Sequence, residues 1–240
     1  MYDIHCHITF DVDDGSQTLN ESVRMAEIAY ESGVKGIVST PHTNSPGSHK
    51  NYWSSELLEK VRILREELKK EHIPIKIFCG QEIFCTKETV KMLENGKLIT
   101  INNTRYPLVE FGFYEKSQTV FSMLKELVRA GYSPIVAHPE RYSFVHENFE
   151  NVEKLKHIGC LIQVNKGSIL GNFGDSAMES ANRMLEARQV DVVSSDAHSP
   201  YVRNTEMMGI HEYICENFSY DYASYVLDIA PGLILRNLEI

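Results

Sequence analysis

The chain has 240 residues, of which 42% are hydrophobic and 24% charged. That is enough to bury a core without disulfide or metal staples, and it excludes disorder for the bulk of the chain. The 24 basic and 33 acidic residues leave a net charge of −9, which argues against nucleic acid or an anionic membrane surface as the main partner, since both need a basic footprint. Ten histidines are the outlier in the composition.

The N-terminus, MYDIHCHITFDVDDG, lacks the basic region, unbroken apolar run and small-residue cleavage site of a signal peptide. No apolar run is long enough for a membrane span. The five cysteines (Cys6, Cys79, Cys85, Cys160 and Cys215) are odd in number and without C-x-x-C spacing, so they are expected to be free thiols in a cytoplasmic protein.

Seven β-rich runs are predicted, over residues 2–8, 34–40, 75–83, 106–111, 133–137, 160–164 and 190–195. Amphipathic helices fall between them at 19–32, 53–71, 120–130 and 177–188, and Gly33 and Gly131 stand just past two helix ends, where a left-handed residue closes a helix. The βα rhythm predicts a parallel α/β architecture, and consecutive apolar residues such as Ile37-Val38 suit strands covered on both faces. No linker divides the chain, so one domain over residues 1–240 is expected.

Six of the seven runs finish on His, Asp or Glu. The first ends His5-Cys6-His7, and the others reach His42 in STPH, Glu82 in GQE, Glu110 in LVE, His138 in AHP, and Asp196 with His198 in SDAH. In a parallel barrel these ends share one face, where active sites sit. His5 and His7 lie at i and i+2 and project together, as do Asp196 and His198 if the strand continues that far. Clustered without cations, these carboxylates would repel one another in a desolvated pocket, so the pattern predicts metal binding. Asp11, Asp13 and Asp14 follow in FDVDDG; one of them adds a ligand, while Asp13 or Asp14 serves equally well to cap a helix or shape the turn at Gly15. Imidazole and carboxylate without thiolate suit zinc, manganese or iron. Five histidines and four acids are too many for one ion, so two or three are expected. Arg141 and Arg203 sit on the loops after His138 and Asp196, suited to an oxyanion. Asn165 and Lys166, after the sixth strand, either line the same face or form a turn. His49, His72, His146, His157 and His211 read as ordinary surface residues.

Taken together, HCH, FDVDDG, STPH, GQE, LVEF, AHPERY, QVN and SSDAH resemble the polymerase-and-histidinol-phosphatase (PHP) superfamily, and more narrowly its manganese-dependent protein-tyrosine phosphatases of bacterial capsule and exopolysaccharide operons. The resemblance spans nearly the whole chain. It implies a distorted (β/α)7 barrel resembling a TIM barrel, with the metal site at the C-terminal face of the strands. It also implies a ligand set of His5, His7, Asp14, His42, Glu82, Glu110, His138, Asp196 and His198, with Arg141 and Arg203 acting on the substrate phosphate. Manganese is the implied metal, as two or three ions, with iron, zinc, magnesium or cobalt as other occupants. The implied substrate is phosphotyrosine on the tyrosine-rich tail of a membrane-associated autokinase.

The expected chemistry is in-line hydrolysis by a metal-activated water, with no covalent enzyme intermediate. No C-x5-R loop follows any cysteine, which excludes a thiolate nucleophile. Three rival readings stand beside this one: a histidinol-phosphatase-like enzyme acting on small phosphomonoesters, an amide or ester hydrolase requiring a carbamylated lysine or a histidine-only cluster, and a metal-stabilised regulatory scaffold without activity. Segment 43–52 matches no fixed motif and is expected to vary with substrate.

Overall fold

The computed structural model describes residues 1–240. Nine strand segments are interspersed with helices: β1 (Tyr2–Cys6), β2 (Gly36–Ser39), β3 (His42–Thr43), β4 (Lys76–Cys79), β5 (Glu82–Phe84), β6 (Leu108–Glu110), β7 (Ile135–Ala137), β8 (Leu161–Asn165) and β9 (Val192–Ser194). All pairing is parallel, in one sheet ordered β1-β2-β4 and another ordered β3-β5-β6-β7-β8-β9. Beyond the end of β1, the His7 N–H donates to Ala197 O at 2.9 Å and the Asp196 N–H to His5 O at 2.9 Å, so the segments after β1 and β9 lie side by side.

The run expected over 75–83 is broken in two, and the run expected over 34–40 is followed, after a break, by the short strand β3. Pro41, which has no N–H to donate, separates β2 from β3. Gly80 interrupts the run 75–83, and a Cβ there would press on Val38 Cγ1 at 2.8 Å. The backbone stays paired across the breaks through Gly80 N–H to Ser39 O at 2.9 Å and Glu82 N–H to Pro41 O at 3.1 Å. The breaks place His42 and Glu82 opposite each other in register.

Side chains alternate along each strand. Val38, Leu108, Ile135 and Val192 pack together on one side, where Ala230 and Ile234 of the C-terminal helical segment cover them. Ile37, Val109, Val136 and Val193 face the surrounding helices. Strand β1 departs from this rule. Its register with β2 slips between Asp3 and Cys6, three steps against two, a bulge that turns both Ile4 and His5 inward.

The helices are α1 (Leu19–Glu31), capped by the Thr18 hydroxyl, and α2 (Ser55–Lys70), capped by the Ser54 hydroxyl. Four more follow: α3 (Thr89–Glu94), α4 (Ser117–Arg129), α5 (Ser143–Glu147) and α6 (Glu150–Ile158). Beyond β8 come α7 (Lys166–Ile169), α8 (Asp175–Glu186), α9 (Met208–Asn217) and a helical run from Tyr220 to Leu235 with a π-turn over Tyr225–Ile229. Gly33 and Gly131 are left-handed, as their places predict. The helices after residue 205 were not among those expected from periodicity. No helix is long and apolar enough to cross a membrane.

Candidate metal centre

The strand ends bring the predicted side chains onto one face. Glu82, fully buried, is at the middle. Its Oε2 lies 3.2 Å from His5 Nε2, 3.2 Å from His7 Nε2 and 2.9 Å from His42 Nδ1, and its Oε1 lies 2.8 Å from His138 Nε2. Glu110 Oε1 meets His42 Nδ1 at 3.1 Å, and Asp196 Oδ1 is 3.5 Å from both His5 Nε2 and His7 Nε2. Asp14 Oδ1 is 3.5 Å from the Nε2 atoms of His42 and His198.

His138 and Asp196, each just past a short strand, have φ of 37° and 50°. Both are in the left-handed region that non-glycine residues avoid, and such strain gathers at functional sites. The expected continuation of the last strand through His198 therefore fails at Asp196. The carboxylate and the His198 ring still converge, because the chain turns there instead of extending.

The proton assignments test whether cations fit. Asp196, anionic, accepts from Asn165 Nδ2 at 2.5 Å; Asn165 Oδ1 then accepts from Gln163 Nε2 at 2.8 Å, leaving Gln163 Oε1 to accept from His5 Nδ1 at 2.8 Å. His7 Nδ1 donates to Asp13 Oδ2 at 2.7 Å, and His198 Nδ1 to the Asp196 backbone carbonyl at 3.0 Å. With Nδ1 protonated, each neutral ring presents an Nε2 lone pair inward. The His5 and His7 Nε2 atoms are 3.4 Å apart, facing Glu82 Oε2, which is buried with no hydrogen-bond donor. Converging lone pairs of this kind fit a divalent cation. The potential candidates fall into three groups, His7-Asp14-His42-His198, His5-His7-Asp196 and His42-Glu82-Glu110, in keeping with more than one ion. Without cations the pocket draws protons instead. Burial works to lower the His42 pKa, yet Glu82 and Glu110 outweigh it and hold the ring up at about 10. His7 is likewise held well above its usual value against burial by Asp13.

Of the three aspartates left open by the sequence, Asp11 is exposed and pairs with Lys60 Nζ at 3.1 Å, away from the cluster, and the other two differ in their surroundings. Asp13 is buried and turned outward from the cluster: Oδ2 accepts the His7 Nδ1–H and, at 2.9 Å, the His42 backbone N–H, while Oδ1 accepts Gly15 N–H at 2.9 Å. Asp14 faces the rings. Gly15 is required by crowding, since a Cβ there would collide with the carbonyl oxygen and Cβ of His7.

Arg203 Nη2 is 2.7 Å and Arg141 Nη1 3.8 Å from Asp196 Oδ2. The Arg141 guanidinium lies 4.6 Å from the ring centres of Phe113 and of Phe173, and Arg203 lies 5.2 Å from Phe173. Both arginines and the candidate ligands Asp14, His42, Glu82, Glu110, His138, Asp196 and His198 line a cavity of about 400 Å³.

Several of its parts escape sequence reasoning. His49, taken for a surface residue, lines the cavity and stacks on His42 with ring centres 6.1 Å apart; it comes from the loop after β3 rather than a strand end. Gln163 precedes the end of β8, and only the alternation of that strand pointed inward. Asn165 does belong to the site, through Asp196. Lys166 turns away to Asn204 Oδ1 and the Glu206 carbonyl, so no lysine reaches the cluster. Cys6, between the two histidines, points to the opposite side, and burial pushes its thiol well above the ordinary range; Cys85 and Cys160 are pushed up to about 12 for the same reason. None is a thiolate nucleophile at neutral pH.

Residues 1–236 match a family described as capsular polysaccharide synthesis, CpsB/CapC. The chain belongs to the CpsB/CapC family. It is 34% identical over 240 residues to tyrosine-protein phosphatase YwqE of Bacillus subtilis, covering 100% of this chain and 93% of the relative. Among solved structures, it superposes with a TM-score of 0.93 and 33% identity on a chain from the crystal structures of YwqE from Bacillus subtilis and CpsB from Streptococcus pneumoniae, described as unique metal-dependent tyrosine phosphatases, covering 100% of this chain and 96% of that one. A histidinol phosphate phosphatase of Lactococcus lactis, solved with zinc, L-histidinol and phosphate, shares the fold at a TM-score of 0.58 and 15% identity, covering 94% of each chain.

Proposed function

We propose that this chain is a metal-dependent protein-tyrosine phosphatase acting in capsule or exopolysaccharide synthesis. The observation that carries the reading is the convergence of five imidazoles and four carboxylates beside two guanidinium groups in a chain of the CpsB/CapC family. The nine strand segments are read as seven strands of a distorted (β/α)7 barrel, in a single domain over residues 1–240, with the site at the C-terminal ends of the strands.

His5, His7, Asp14, His42, Glu82, Glu110, His138, Asp196 and His198 would hold the ions, with manganese the preferred occupant. Bound divalent cations would supply Lewis acidity to the phosphoryl oxygens and a water acidic enough to attack near neutral pH. The protein side of the chemistry is positioning. Gln163, Asp13 and the Asp196 carbonyl hold the proton on Nδ1 of His5, His7 and His198, so each ring offers Nε2. Arg141 and Arg203 neutralise charge on the phosphoryl oxygens in the in-line transition state, and the stack on Phe113 and Phe173 keeps their planes in place. Tyrosine leaves as a phenolate of pKa about 10, so demand for a general acid is modest.

The natural substrate in this reading is the phosphorylated, tyrosine-rich tail of a membrane-associated autokinase, met in the cytoplasm, where five free cysteines are at home. The deciding experiment compares kcat/KM for phosphotyrosine peptides and histidinol phosphate with manganese present and after chelation. Preference for the peptides and loss of activity on chelation are expected. Preference for histidinol phosphate would overturn the substrate, and activity surviving exhaustive chelation would overturn the metal chemistry.

A further inference from the structure

A second depression of about 300 Å³ adjoins the candidate active site. Its lining includes Phe113, Tyr114, Arg141, Phe173, Asp175 and Ser176, of which Phe113 and Arg141 also line the first cavity. Phe113 and Arg141 therefore stand between the two, with the Arg141 guanidinium 4.6 Å from the ring centres of Phe113 and of Phe173. Phe113 is 41% exposed and Tyr114 90% exposed, on the loop between β6 and α4, where neither contributes to the core. With Phe173, which also lines the depression, they set three aromatic rings around a hollow that shares Arg141 with the candidate site, an arrangement suited to a contact face.

We infer that this groove is a substrate subsite that takes an aromatic side chain next to the phosphotyrosine of a protein substrate. The inference rests on the protein-phosphatase reading above. An extended peptide advances about 3.3 Å per residue, and side chains two apart share a face. A phosphotyrosine in the first cavity thus sends a neighbouring side chain over the Arg141 stack into the second. The chemistry of the lining selects an aromatic ring. Phe113, Tyr114 and Phe173 offer ring faces and edges. Arg141 and Asp175, of opposite charge and beside His146, favour neither a cationic nor an anionic side chain there. A small phosphate ester fills only the first cavity and gains nothing from the second.

The test is a set of phosphotyrosine peptides carrying Phe, Ala, Lys or Glu at each of the two positions on either side, assayed with the manganese-loaded protein alongside p-nitrophenyl phosphate. Phe at one of these positions should raise kcat/KM about tenfold over Ala, the size of a well-placed aromatic contact. Tyr114→Ser, which removes an exposed ring, and Ser176→Trp, which fills the groove from an exposed position, should each cut that preference to below about twofold. Neither should change p-nitrophenyl phosphate turnover. Equal rates for Phe and Ala peptides at every position, a preference for Lys or Glu, or a Phe preference that survives both substitutions would overturn the subsite while leaving the phosphatase reading intact. No turnover of any peptide beside normal turnover of the small ester would overturn both.

Discussion

Asp13→Asn separates the two aspartates that follow Val12. The Asp13 carboxylate takes three N–H groups, from the His7 ring at 2.7 Å, the His42 backbone at 2.9 Å and the Gly15 backbone at 2.9 Å. The amide of asparagine has one acceptor oxygen, so at least one of these donors is left facing an NH₂ group, and the charge opposite the His7 ring is gone. Hydrogen bonds to a charged group are worth about 1.5–3 kcal/mol, and outer partners of metal-bound histidines typically govern roughly 10–100-fold in metal affinity. The variant should therefore fold, need roughly 10–100-fold more manganese for half-maximal activity, and recover much of its kcat at saturating metal. Asp14→Asn removes a proposed ligand oxygen, and excess manganese should not restore it. Manganese titrations followed by calorimetry and by p-nitrophenyl phosphate hydrolysis read both effects. An unchanged manganese midpoint in Asp13→Asn, or full rescue of Asp14→Asn by metal, would refute the assignment of Asp13 as the orienting group and Asp14 as the ligand.

His138→Ala and Arg141→Ala should each abolish turnover, while Cys79→Ser and thiol alkylation should leave it unchanged, as measured on p-nitrophenyl phosphate. Cys85 and Cys160, with thiols pushed up to about 12 by burial, should resist iodoacetamide at pH 8 in the folded protein and react on unfolding, which mass spectrometry reads. In metal-free protein, His42 is held at about 10 by Glu82 and Glu110 against burial. Its folded pKa is raised, so its stabilising contribution is complete below about 6.5 and lost as pH climbs through 10. Thermal midpoints of the metal-free protein should show that loss, and metal binding, which must displace this proton, should tighten as pH rises from 6 to 8. Gly15→Ala should lower the unfolding free energy by about 1–3 kcal/mol, read by denaturant titration, and weaken manganese binding, because the new Cβ forces the loop off His7.

Sequence by itself determined which residues are candidates for the site. Histidines and carboxylates at six of seven expected strand ends point to one face of a parallel α/β fold, because the C-terminal ends of parallel strands lie on the same side of the sheet. The left-handed Gly33 and Gly131 were equally legible, being local. Tertiary structure decided what depends on contacts between distant segments. The bulge that turns His5 inward beside Ile4 reflects the register of β1 against β2 and leaves no mark in HCH. Asp13 and Asp14 are adjacent and alike, and only the approach of His7, His42 and Gly15 to one, and of His42 and His198 to the other, sets them apart. His49 and Phe173 reach the site from loops, where no periodicity constrains position, and Gln163 acquires its role through His5, 158 residues away. Ligand type is a property of residues; which lone pair each one offers is a property of its neighbours.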